Sequence, residues 1–64
     1  MSQGKNHLPK NLSDRLYRWR TSQGLTQEGA GLLCGVSRYT IIRLEKGRQI
    51  SPRLAGKIYK RISG

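Results

Sequence analysis

The 64-residue chain is short of almost everything that staples a small protein together or equips it for chemistry. It has one cysteine, Cys34, so no disulfide can close within the chain. One histidine, His7, lies far from that cysteine in sequence, and the pair falls short of a metal-ligand set. Acidic residues number three, Asp14, Glu28 and Glu45, and no two stand as a carboxylate pair for acid–base chemistry. An unpaired thiol in an apolar stretch suits a reducing compartment. No apolar run reaches the length of a signal-peptide core or a membrane span. There is no alternating strand pattern, no internal repeat and no low-complexity tract. These absences argue against an enzyme, a metalloprotein, a cofactor carrier and a secreted disulfide scaffold, and point to a cytoplasmic chain. A chain this short buries only about 60% of its unfolded surface, so its core must be small.

What the sequence has in abundance is positive charge. Thirteen lysines and arginines against the three acids give a formal net charge of +10 and a pI near 11.0. Such self-repulsion destabilises a compact domain unless a polyanion relieves it, which makes nucleic acid the first candidate partner. An anionic membrane surface is the second, because cationic amphipathic helices also bind lipid head groups. Charge that serves solubility alone is the plain alternative.

Residues 1–10, MSQGKNHLPK, are polar, contain Gly4 and Pro9, and lack helical period, which predicts a flexible basic arm carrying Lys5, Asn6 and Lys10. From 11 to 64 the punctuation is helical. Asn11 and Ser13 both offer side-chain oxygens as N-caps, Asp14 suits the positive end of a helix dipole, and Leu12, Leu16 and Trp19 recur at helical spacing. A helix over 13–22 follows, stopped by Gly24. Thr26 caps a second helix over 27–34, and Gly35 ends it. Ser37 caps a third over 38–46, with Ile41, Leu44 and Ile42 as its candidate inner set and Arg38, Tyr39, Arg43 and Lys46 outward. Gly47 terminates that helix. Ser51 followed by Pro52 opens a fourth over 52–62, with Leu54, Ile58 and Ile62 on one face and Arg53, Lys57, Lys60 and Arg61 on others.

Two short helices pivoting on Gly35-Val36-Ser37 have the sequence form of a helix-turn-helix, in which the first helix braces the second at a steep angle for entry into a DNA major groove. Arginine there can bind both O6 and N7 of guanine. The stretch closely resembles the lambda-repressor/Cro family of helix-turn-helix regulators. Leu25-Thr26-Gln27-Glu28, Gly35-Val36-Ser37-Arg38, Thr40-Ile41 and Arg43-Leu44-Glu45-Lys46-Gly47 fit that pattern without a gap, and the resemblance spans about residues 16–62.

The resemblance implies a role for each matching position. Arg38, Tyr39 and Arg43 would face the bases, with Thr40 at the groove edge. Gln27 would bind a phosphate and brace the third helix, and Lys46 and Arg48 would grip phosphate just beyond it. Lys5 and Lys10 of the arm would add nonspecific phosphate attraction. Arg20 would pair with Glu45 and tie the first helix to the third.

Departures from the family pattern mark the second helix. Ala30 and Cys34 replace the usual leucines, and Gly29 and Gly31 replace helix formers at about 1 kcal/mol each. Gly31 sits where a small residue lets the second and third helices approach, and Trp19 is a candidate to fill the space left by Ala30 and Cys34. Cys34 itself is expected in the core, with a raised pKa, and Leu32 partly exposed.

The expectation is an all-α, compact four-helix, lambda-repressor-like domain with a flexible N-terminal arm. Its expected function is sequence-specific binding of double-stranded DNA as a small transcriptional regulator, a repressor of the phage or bacterial Cro kind. It would need no cofactor, metal or small-molecule substrate. With no helix after the fourth, the expected dimer is weak and assembles on an inverted repeat. The alternatives are an architectural or excision-type DNA cofactor, an antitoxin-like protein-interaction module, and a cationic membrane-active peptide, which the capped helices argue against.

Overall fold

Leu12 and Leu16, one turn apart, place two buried side chains on the inner face of the first helix, α1 (Leu12–Ser22), in the computed structural model, which describes residues 11–63. Three more helices follow: α2 (Gln27–Cys34), α3 (Arg38–Glu45) and α4 (Pro52–Ser63). The described residues contain no strand. Helix α3 packs against α2 and α1, and α4 packs against α1 and α2. The result is a compact all-α four-helix domain.

Three of the four helix starts follow the sequence signals. Thr26 accepts from the Gly29 N–H at 3.0 Å, Ser37 from the Thr40 N–H at 3.1 Å, and Ser51 from the Leu54 N–H at 3.2 Å. At α1 the expectation fails: Asn11 occupies the cap position but its side chain makes no capping hydrogen bond, and the helix starts one residue earlier than the spacing predicts. The backbone carbonyl of Asn11 accepts from the Arg15 N–H at 3.0 Å instead, so the first turn closes without the amide.

The core is Leu12, Leu16, Ala30, Cys34, Ile41, Leu44, Ala55 and Ile58, with Trp19, Val36, Ile50 and Ile62 packed partly buried against it. On α4 the buried seam is Ala55 and Ile58 with Ile62 beside them, an i, i+3, i+7 line, whereas Leu54 only flanks it. Ile42 is half-buried and stays outside the cluster.

Candidate nucleic-acid interface

The mount for α3 is built at its two ends. At the start, α2 and α3 meet through the turn Gly35-Val36-Ser37, with Gly35 at φ +77°, a left-handed conformation that glycine adopts without a Cβ clash. Both the Gly35 and Val36 N–H groups donate to the Gly31 carbonyl, at 2.8 and 2.9 Å. Gly31 also faces the turn itself. A Cβ there would lie 2.8 Å from the Val36 carbonyl oxygen and 3.3 Å from the Arg38 nitrogen. The bare α-carbon is therefore what lets α2 lie against the entry of α3.

At the far end of α3, Glu45 is the anchor. Arg20 from α1 grips its carboxylate with two parallel bonds, Nε to Oε2 at 2.6 Å and Nη2 to Oε1 at 3.0 Å, and its Nη1 donates to the Leu25 carbonyl at 3.0 Å. Gln27, the first residue of α2, donates its amide to Glu45 Oε1 at 3.1 Å. The side chains of Arg20 and Glu45 are 14% and 9% exposed, well shielded from water. The Glu45 carboxylate holds the Arg20 pKa above its ordinary value against an opposing desolvation effect. One acid thus ties α1, the α1–α2 loop, α2 and α3 together.

Between these supports α3 presents an outer face. Arg38 is exposed, Tyr39 is 64% exposed, and Arg43, one turn on, is half-buried. The Arg43 guanidinium lies 5.6 Å from the Tyr39 ring centroid, donates from Nη1 to the Tyr39 hydroxyl at 3.3 Å and from Nη2 to the Gln49 carbonyl at 3.1 Å. Tyr39, Thr40 and Arg43 edge a groove shared with Gln49, Ile50, Ser51 and Leu54 of the α3–α4 loop and the start of α4. Lys46 and Arg48 stand exposed just past the helix.

Residues 16–61 match a helix-turn-helix family model. The chain belongs to the helix-turn-helix family. No curated protein matches it. As a helix-turn-helix domain its general function is DNA binding in transcription regulation, and such domains are non-catalytic. The described residues include no group of three or more His, Cys, Asp or Glu side chains able to hold a metal. No described helix is long and apolar enough to cross a membrane.

Within this helix-turn-helix domain Thr40 is the least exposed of the residues expected at the bases. It is only 7% exposed, lines the groove beside Tyr39 and Arg43, and has its hydroxyl 3.0 Å from the Ser37 hydroxyl. A small polar side chain on the border of the buried face takes the nearest partner, the cap three residues before it. Gln27 spends one amide hydrogen on Glu45 and retains the other. Lys5 and Lys10 lie outside the described residues. Cys34 is buried, and desolvation raises its thiol pKa while nearby Arg61 opposes the shift.

Two contributions escaped the sequence reading. Arg61 Nε donates to the Leu33 carbonyl at 2.9 Å and Lys57 Nζ to the Gly35 carbonyl at 3.3 Å, so two cations of α4 satisfy the end of α2. Helix α2 has no basic residue of its own in its last turn, which was the available signal that a neighbour must supply one. The Gln49 carbonyl that holds Arg43 had no sequence signature, since any residue carries a carbonyl.

Proposed function

We propose that this domain is a sequence-specific transcriptional regulator, a small repressor of the lambda-repressor/Cro kind, that inserts α3 into the major groove of double-stranded DNA in the cytoplasm. Arg38, Tyr39 and Arg43 would meet base edges, with Thr40 at the groove edge. Gln27, Lys46 and Arg48, joined by Lys5 and Lys10 of the N-terminal arm, would meet phosphates. The observation that carries the proposal is the outer face of α3: two arginines and a tyrosine, none of them paired with a carboxylate among the described residues, on a helix clamped by Gly31 at one end and by Arg20–Glu45 at the other. A rigid support with unneutralised donors is the arrangement that reads bases without reordering itself.

Two copies on an inverted repeat suit the charge. At +10 each, copies repel one another in solution, and duplex phosphates remove that cost, so dimerisation is weak alone and strong on DNA. With about five to eight phosphate contacts per subunit, log affinity falls against log salt with a slope of roughly −5 to −7. Selection of bound sites from random duplexes, followed by salt titration, tests this. A palindromic site with that slope is the expected outcome; a flat salt response or no selected sequence removes the proposal. Arg43→Ala is expected to relax preference at one base pair at about 1–3 kcal/mol, and Lys46→Ala to weaken all sequences alike.

A second reading, an antitoxin-like protein-interaction module, is supported by one observation: Leu32 and Leu33, adjacent on α2, are 79% and 45% exposed. Leu32→Lys that leaves DNA affinity intact but sheds a co-purifying second chain would favour it.

A further inference from the structure

We propose that Tyr39 is a positioning residue for Arg43, and that together with the Gln49 carbonyl it presets the guanidinium for a single base pair. This rests on the DNA-reading role of α3 given above. Tyr39 and Arg43 are four residues apart on one helix, so their side chains share a face one turn apart. Three contacts fix the guanidinium: the Tyr39 ring beneath it at 5.6 Å, the Tyr39 hydroxyl at 3.3 Å and the Gln49 carbonyl at 3.1 Å.

The Gln49 carbonyl is itself fixed. Gly47, at φ +79°, turns the chain back after α3, with the Gly47 N–H donating to the Leu44 carbonyl at 2.9 Å and the Arg48 N–H to the Arg43 carbonyl at 3.0 Å. The loop therefore brings Gln49 to Arg43 from one side while α3 brings Tyr39 from another.

All of these partners are neutral. The clasp holds the direction of the guanidinium and leaves its charge available. It also leaves donors: of five N–H groups, one on Nη1 and one on Nη2 are used, so each terminal nitrogen keeps one hydrogen and Nε keeps its own. Two of these three donors are what a guanine edge requires. An arginine already ordered in the free domain loses less rotamer freedom on binding than one that samples solvent. On this account the tyrosine hydroxyl acts on DNA through Arg43 and touches no base, which narrows the base contact proposed above for Tyr39 to its ring.

A four-member cycle on the intact chain separates the possibilities: wild type, Tyr39→Phe, Arg43→Ala and the double variant, each measured on the selected duplex and on every single-base variant of it. Tyr39→Phe keeps the ring and removes only the hydroxyl. It is expected to weaken the selected site about two- to tenfold, the range for freeing one ordered side chain. That loss should fall at the base pair to which Arg43→Ala becomes indifferent, and Tyr39→Phe should add nothing in the Arg43→Ala background. In the free domain, Tyr39→Phe should also increase mobility at the Arg43 Nε–H by NMR relaxation, a change that a general packing role would not produce. Tyr39→Leu, which removes ring and hydroxyl, should lose more at the same base pair. Additive losses at a different base pair would make Tyr39 a base reader in its own right and overturn the proposal, as would a Tyr39→Phe variant identical to wild type. A wild type without any sequence preference would remove the DNA-reading role as well, whereas a selective wild type with an additive cycle removes the positioning role alone.

Discussion

Arg20 and Arg43 are the same residue type in two regions of one small domain, and they are used in opposite ways. Arg20 meets a carboxylate, spends three donors on Glu45 and the Leu25 carbonyl, and is shielded from water. Arg43 meets a hydroxyl and a carbonyl, keeps its charge, and lies on a groove. With three acids in the chain, where a carboxylate sits decides which cations become structure and which stay available to a polyanion. Glu45 makes Arg20 a rivet. Arg43 has no carboxylate partner among the described residues, so its charge stays available to the proposed duplex.

The largest expected effect comes from erasing that difference. Glu45→Ala leaves Arg20 shielded and unpaired, and should cost about 3–5 kcal/mol in urea or thermal unfolding. Replacing both Arg20 and Glu45 by methionine should recover most of that loss, since the stranded charge is the penalty. A Glu45→Ala variant as stable as wild type would break the comparison. Next comes the other support: Gly31→Ala forces a Cβ to 2.8 Å from the Val36 carbonyl oxygen, and should cost about 1–3 kcal/mol. Arg61→Ala and Lys57→Ala each remove a donor from the end of α2, at about 0.5–1.5 kcal/mol, with hydrogen exchange rising in α2 ahead of the other helices. A change of the same order, about 0.5–1.5 kcal/mol, should follow Arg43→Ala, which removes the bonds to the Tyr39 hydroxyl and the Gln49 carbonyl, alongside its loss of base preference on DNA. That pairing of large functional and small structural effect is the mirror of Arg20.

Much of the fold was legible because its signals are local. Thr26 and Ser37 cap the helices they precede, and Gly35 and Gly47 take the left-handed conformations that end them. Gly31 was legible as a close-approach residue because a glycine inside a helix costs stability unless something needs the space. Nothing in the position of Thr40 along the chain signals that its hydroxyl would lie beside that of the Ser37 cap. The donors from α4 to α2 could not be read from spacing. Lys57 and Arg61 look like a solvated charged face in sequence, and become caps only once α4 lies across the carbonyls of Leu33 and Gly35. The same holds for Arg43, whose outward direction the pattern gives but whose Gln49 partner depends on the path of the loop.

The missing Cβ at Gly31 has one more effect. With backbone seated against backbone at that contact and a carboxylate riveting the opposite end, α3 is tied to α2 at both of its ends. For a support so tied, misfit with a duplex would fall on the nucleic acid, through bending, twisting or a narrowed groove. Base pairs that no side chain touches would then influence affinity through their stiffness alone.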